Sequence, residues 1–130
     1  EEMIKKFDIR PADGSLPTSS LSGGNAQKVV VAREVNLGGK LLIASQPTRG
    51  VDIGAIESIR SILQDVKEQG LGVLLVSAEL EEVMSLSDRI IVMHEGKITG
   101  RMNADEADEE TLGLLMMGGH NAEEKGEQHE

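Results

Sequence analysis

The chain has 130 residues, a formal net charge of −10 and a single aromatic residue, Phe7. This length suits one small domain with an aliphatic core. Acidic surfaces repel phosphate backbones and base stacking needs aromatic side chains, so the composition argues against nucleic acid as a partner. There is no cysteine, which excludes disulfides and thiolate metal sites. No apolar run approaches the roughly 20 residues that span a bilayer.

Four segments are expected along the chain. Residues 1–20 are predicted to be the end of a helical subdomain and a loop, residues 21–102 the core, residues 103–119 a C-terminal helix, and residues 120–130 a disordered acidic tail. The chain opens at Glu1-Glu2 in sequence typical of the middle of a domain, so we expect it to be a piece of a longer protein.

The first half of the core alternates helix and strand patterns. A helix is predicted from the Ser22-Gly23-Gly24 turn to about Leu37, followed by a buried strand at residues 41–44. Asp52 is the predicted N-cap of a second helix, and Gly70 follows that helix at the C′ position. The apolar residues of this helix recur at a period close to 3.6 and predict one buried face, made of Ile53, Ile56, Ile59, Ile62, Leu63 and Val66.

The second half continues the alternation. Strands are predicted at residues 73–76 and 89–93, with a short helix at residues 79–86 between them. Glu95-Gly96 forms a turn into a strand at residues 97–102, so the last two strands make a hairpin. His94 is expected on the surface, and a final helix covers residues 111–117. The pattern predicts an α/β fold with three layers, a mainly parallel sheet and a short antiparallel hairpin near the end.

The strongest local signal for a ligand is Ser22-Gly23-Gly24-Asn25 ahead of a helix. Glycines let the backbone approach an anion, the helix N-terminus presents free N–H groups, and Ser22 adds a hydroxyl donor. The same residues also fit a serine N-cap after a glycine turn, which needs no ligand. The tetrapeptide alone leaves both interpretations open.

Further motifs follow in a fixed order, at residues 41–44, 47–52, 77–79 and 88–98. With residues 21–25, they resemble the ABC ATPase family over roughly residues 7–117. They match in turn its signature motif, Walker B strand, D-loop, switch-histidine loop and closing hairpin. Leu-Ser-Gly-Gly-Asn with Pro-Thr-Arg-Gly-Val-Asp is most similar to the tandem-domain ATPases of simple-sugar and nucleoside importers. The match corresponds to the C-terminal half of the second nucleotide-binding domain, a P-loop NTPase fold.

Three positions depart from the family pattern. Ser45 and Gln46 stand where the Walker B strand ends in Asp-Glu, and Ala78 stands at the switch histidine. In the family, the aspartate organises Mg²⁺, the glutamate orients the attacking water, and the histidine donates to the γ-phosphate. The resemblance therefore implies a degenerate hydrolytic site with no catalytic residue here. The sequence has no G-x-x-x-x-G-K-[ST] loop, so we expect no tight nucleotide binding by this chain alone.

The resemblance also implies roles for the motifs that are kept. ABC ATPase domains pair head to tail, so the signature would contact ATP held by a partner domain, through Ser22, Gly23, Gly24, Asn25 and Gln27. The cofactors implied for the full-length protein are ATP and Mg²⁺. The domain interface would be lined by Arg49, Gly50, Val51 and Asp52. No metal ligand is assigned to this chain. The implied partners are another ABC ATPase domain and transmembrane permease subunits, at the cytoplasmic face of the membrane.

Two alternatives stay open at the level of sequence. One is a soluble ABC ATPase that works on nucleic acid or ribosomes rather than in transport. The near-neutral first 102 residues, the acidic tail and the importer-like motifs count against it. The other is a dimerisation module with no nucleotide role. The transported solute and the oligomeric state are not encoded in these motifs.

Overall fold

The computed structural model describes residues 1–119, and the predicted disordered tail lies outside the described residues. The helices are α1 Glu2–Lys6, α2 Gly23–Asn36, α3 Ile53–Glu68, α4 Leu80–Leu86 and α5 Glu109–Met116. The strands are β1 Leu41–Ser45, β2 Gly72–Val76, β3 Arg89–His94 and β4 Lys97–Asn103. Two compact units divide between Ser77 and Ala78. Across residues 1–119, no helix combines the length and apolar character that crossing a membrane demands.

Helix α3 is bounded by the local signals expected from the sequence. The Asp52 carboxylate accepts the Ala55 backbone N–H at 3.0 Å and caps the N-terminus. At the other end Gly70 has φ +90°, and the Leu71 N–H donates to the Val66 carbonyl at 3.1 Å. This is the Schellman arrangement, in which a left-handed residue closes the helix.

The predicted apolar face of α3 is wrong at its first position. Ile53 is 77% exposed, whereas Ala55, Ile59 and Val66 are buried. Successive helical residues are rotated by about 100°. Ile53 therefore lies about 120° around the helix from Ile59, and Ala55 takes the position that packs.

The first unit contains a parallel strand pair, as expected. β1 and β2 pair from Leu41↔Gly72 to Ser45↔Val76. One face of this strand pair is exposed to solvent. The exposed fraction is 63% for Ile43 and 51% for Leu74. Both strands were predicted to be buried, and this prediction is wrong for Ile43 and Leu74.

The second unit is built on an antiparallel hairpin. β3 pairs with β4, and the connecting residues Glu95 and Gly96 both have positive φ, as a type I′ turn requires. The α/β class and the closing hairpin are confirmed. The third strand, β3, pairs with β4 across this tight turn, as the predicted hairpin requires.

The core of the second unit is aliphatic, and α5 packs on the hairpin. Buried side chains from β3 and α5 form it, namely Ile90, Val92, Leu112 and Leu115. Gly100 on β4 allows this packing, since a Cβ there would lie 2.6 Å from Leu115 Cδ1. His94 is half-buried rather than a free surface residue, because its Nδ1 bonds the Met116 carbonyl at 2.9 Å.

Candidate functional site

Ser22 is the N-cap of α2, and its hydrogen bonds leave a donor unused. Its Oγ accepts the Asn25 backbone N–H at 3.3 Å and the Asn25 side-chain amide at 3.0 Å. Both bonds use lone pairs of the hydroxyl oxygen, so the hydroxyl hydrogen remains to be donated. Ser22 is also exposed. The cap interpretation and the phosphate interpretation are therefore compatible, since one side chain can do both.

Backbone donors accompany the Ser22 hydroxyl. The N–H groups of Gly23 and Gly24 lie in the first turn of α2, where no intrahelical acceptor exists. The positive end of a 14-residue helix reinforces them. Gly23 is exposed, and a Cβ there would meet only the Gly50 carbonyl oxygen, at 4.0 Å. The start of α2 can thus meet an anion with a hydroxyl, the N–H group of exposed Gly23 and a favourable dipole.

Gly24 has a packing role that the sequence did not indicate. It is buried, and a Cβ on it would lie 2.5 Å from the Ala55 Cβ and 3.0 Å from an Asp52 carboxylate oxygen. This role is additional to the predicted one, in which the glycines let the backbone approach an anion. Gly24 lets the start of α2 pack closely against the start of α3.

This packing places two sequence motifs side by side within the first unit. Gly23 approaches Gly50, and Gly24 approaches Asp52, the last residue of the D-loop-like segment 49–52. In that segment Arg49, Gly50 and Asp52 are exposed and Val51 is half-buried. Gly50 turns the chain with φ +74°. The signature-like and D-loop-like residues therefore present neighbouring exposed surfaces.

The end of β1 is organised but chemically neutral. Ser45 pairs with Val76, and the Gln46 N–H donates to the Val76 carbonyl at 2.7 Å. Gln46 has φ +49°, a left-handed conformation that costs about 1–3 kcal/mol for a residue other than glycine. A hydroxyl and an amide cannot accept a proton near neutral pH. Ala78, at the start of the second unit, is exposed, and its side chain is a methyl group.

Three residues that hold the first half of α2 were not identified from the sequence. They are Asp8 and Arg10, which precede the helix, and Lys28, which lies on it. The Arg10 N–H donates to Asn25 Oδ1 at 2.8 Å, and Lys28 Nζ donates to the Asp8 carbonyl at 2.9 Å. A separate hydrogen bond, from the Arg10 guanidinium to the Asp8 carboxylate, lowers the pKa of Asp8 below its ordinary value. The charge of Lys28 lowers the same pKa further. One available signal was the i, i+3 spacing of Asn25 and Lys28, which places them on one helix face.

The remaining candidates have less defined surroundings. Gln27 lies on α2 and is half-buried. Within residues 1–119, no three His, Cys, Asp or Glu side chains are grouped so that they could hold a metal ion.

Sequence comparison finds close relatives. A ribose import ATP-binding protein of Caldanaerobacter subterraneus subsp. tengcongensis is 48% identical over 118 residues, which are 91% of this chain and 24% of that protein. A nucleoside import ATP-binding protein of Lactococcus lactis subsp. cremoris is 46% identical over 119 residues, 92% of this chain and 24% of that protein. The chain therefore spans about a quarter of the length of these relatives. No family model matches the chain.

Comparison with solved structures agrees with the sequence matches. A dimeric bacterial ABC transporter cassette has a TM-score of 0.70 and 25% identity, covering 79% of this chain and 44% of that one. An inward-facing ABC transporter of the metal-chelate type has a TM-score of 0.77 over 90% of this chain and 46% of that one. Its identity is 16%, so this second likeness concerns the fold alone. The fold class expected from the sequence, the ABC ATPase form of the P-loop NTPase fold, is confirmed.

Proposed function

Because the chain belongs to the ABC ATPase family, we propose that it is part of the ATP-binding subunit of an importer for simple sugars or nucleosides. The named functions of the ribose and nucleoside import relatives support this solute class. The subunit acts peripherally at the cytoplasmic face of the membrane. Its partners are a second ABC ATPase domain and transmembrane permease subunits.

In this proposal the start of α2 contacts ATP that a partner domain holds. The supporting observation is the unused hydroxyl hydrogen of Ser22, whose oxygen is already occupied by two bonds from Asn25. Ser22 donates to the γ-phosphate, and the N–H group of exposed Gly23 adds a second donor. Gly24 contributes by letting the start of α2 pack against α3. ATP with Mg²⁺ supplies the phosphoryl group that is transferred to water. Donors fixed in place before the reaction stabilise charge that develops in the transition state.

The site on this domain's own side is proposed to be non-hydrolytic. Ser45 cannot supply the negative charge that holds Mg²⁺ through its water shell. Gln46 cannot take a proton from the attacking water. The methyl group of Ala78 cannot donate to a phosphate oxygen. Hydrolysis therefore depends on catalytic groups from the partner domain, completed by the donors of this chain.

Segment 49–52 is proposed to couple the two sites. Gly24 packs against Asp52 and Ala55, so a displacement of the α2 N-terminus is transmitted to the start of α3. Exposed Gly50 lies beside Gly23, and its chain neighbour Arg49 is also exposed, so both can contact the same partner domain. Closure on ATP and opening after hydrolysis then move both surfaces together.

The proposal is tested by turnover of the full-length subunit assembled with its permeases in lipid vesicles. Ser22→Ala should lower kcat for ATP by about 10²–10³, the usual cost of removing one preorganised donor. Gln46→Ala should leave kcat close to that of the unmodified protein, because no proton transfer depends on it. Asn36→Ala, at the exposed far end of the same helix, is the matched control.

The opposite result would contradict the proposed roles. If Gln46→Ala abolished hydrolysis while Ser22→Ala left it unchanged, the hydrolytic site would be the one on this domain. If the full-length protein did not bind ATP at all, the alternative of a dimerisation module would be favoured.

A further inference from the structure

Asn25 links Ser22 to a backbone segment that lies fifteen residues earlier than Asn25 in the chain. Its Oδ1 accepts the Arg10 backbone N–H at 2.8 Å, and its Nδ2 donates to Ser22 Oγ at 3.0 Å. A backbone N–H can only donate, so the amide oxygen must face Arg10 and the amide nitrogen must face Ser22. The Arg10 N–H therefore determines the orientation of the Asn25 amide.

That orientation decides what the Ser22 hydroxyl can do. With the amide nitrogen facing it, Ser22 Oγ is an acceptor and its own hydrogen points elsewhere. In the flipped orientation the Asn25 amide oxygen would face Ser22 and accept that hydrogen. The hydroxyl hydrogen would then be donated within the protein, so Ser22 could not donate it to phosphate.

Lys28 holds the segment that contains Arg10. Its ammonium donates to the Asp8 carbonyl at 2.9 Å and lies 3.6 Å from the Asp8 carboxylate. The Lys28 side chain is only 9% exposed. A buried ammonium is costly unless hydrogen-bonded and paired, so the segment and the helix hold each other in one arrangement.

We propose that Asn25 is a positioning residue that acts through Ser22, and that Lys28 fixes the segment that orients the Asn25 amide. This inference rests on the proposed function, in which the Ser22 hydroxyl contacts ATP held by a partner domain. Asn25 then needs no contact with nucleotide of its own. Its effect on hydrolysis arises only while the Ser22 hydroxyl is present.

A double-mutant cycle on the full-length, assembled transporter tests this dependence. Asn25→Ala should lower kcat for ATP roughly tenfold, the equivalent of about one hydrogen bond. The KM for ATP should stay nearly constant, because the partner domain provides the primary nucleotide site. In a Ser22→Ala background, Asn25→Ala should cause no further loss of kcat, since non-additivity marks residues that act as one unit. Asn36→Ala is again the control.

Two further variants separate positioning from folding. Asn25→Asp preserves size and still accepts the Arg10 N–H, but its carboxylate also accepts the Ser22 hydroxyl hydrogen. It should therefore lower kcat more than Asn25→Ala does. Lys28→Met should lower kcat, whereas Lys28→Arg should restore part of it, because a guanidinium can still donate to the Asp8 carbonyl.

The outcomes distinguish the inference from the function on which it rests. If Ser22→Ala lowers kcat and the loss from Asn25→Ala multiplies with it, Asn25 acts independently and the inference is overturned alone. Unchanged kcat in Asn25→Ala would have the same meaning. If Ser22→Ala itself has no effect, the proposed function fails and the inference fails with it.

Discussion

Helices α2 and α3 begin with the same capping bond, yet their N-termini differ in what they can bind. Ser22 accepts the backbone N–H three residues ahead of it at 3.3 Å, and Asp52 does so at 3.0 Å. Asp52 brings a full negative charge that satisfies the positive end of its own helix. Ser22 is neutral, and it keeps a hydroxyl hydrogen to donate.

The difference shows that a cap does not by itself identify an anion site. Both caps stabilise a helix, and both fit the preference for Ser and Asp at this position. Only the neutral cap leaves a hydroxyl hydrogen beside the exposed Gly23 N–H for an external anion. The two glycines after Ser22 have different roles. Gly23 leaves an open surface, and Gly24 lets the starts of α2 and α3 pack closely.

The largest effect is expected when α2 receives the cap residue of α3. Ser22→Asp keeps the capping bond but replaces the hydroxyl donor with a negative charge. In the assembled transporter, kcat should fall by at least about 10²–10³, because repulsion of the γ-phosphate adds to the lost donor. Amide exchange within α2 should stay unchanged, since the helix remains capped.

The control for this variant is the opposite exchange at a third helix. Asp108 caps α5 by accepting the Thr111 N–H at 2.8 Å. Asp108→Ser retains a cap there and should leave ATP turnover unaltered. Near-normal hydrolysis in Ser22→Asp would mean that the α2 N-terminus does not meet the phosphate.

A smaller effect should separate the two glycines. Gly24→Ala forces a Cβ to within 2.5 Å of the Ala55 Cβ, and overpacking of this kind typically costs about 1–3 kcal/mol of unfolding free energy. Gly23→Ala meets nothing closer than 4.0 Å, and should change stability by less than about 1 kcal/mol. Denaturant unfolding of the full-length protein, with amide exchange of α2 and α3, measures both. Equal costs for the two variants would refute the division of roles.

The structural features that could be predicted from the sequence are those with local determinants. The caps Ser22 and Asp52, the C′ glycine Gly70 and the hairpin turn at Glu95-Gly96 depend on residues within one turn of each other. The motif order was sufficient to indicate the ABC ATPase fold, which the solved cassettes confirm. The helical period predicted most of the buried face of α3. It misplaced Ile53, because the apolar pattern extends further around the helix than the buried face does.

Tertiary determinants were not available from the sequence. The bond from Lys28 to the Asp8 carbonyl joins residues that are twenty apart, and nothing in either residue type specifies the other. The close approach of Gly24 to Ala55 depends on how two helices cross. The Gly24 role and the Asn25 network therefore required atomic positions.

Amide hydrogen exchange can show whether the start of α2 contacts the phosphates of ATP. The full-length, assembled protein is measured with and without a saturating non-hydrolysable ATP analogue. We expect slower exchange of the backbone amides across residues 22–28, and loss of that protection in Ser22→Asp. Unchanged exchange at residues 22–28, with the analogue bound and residues 45–46 protected instead, would contradict it.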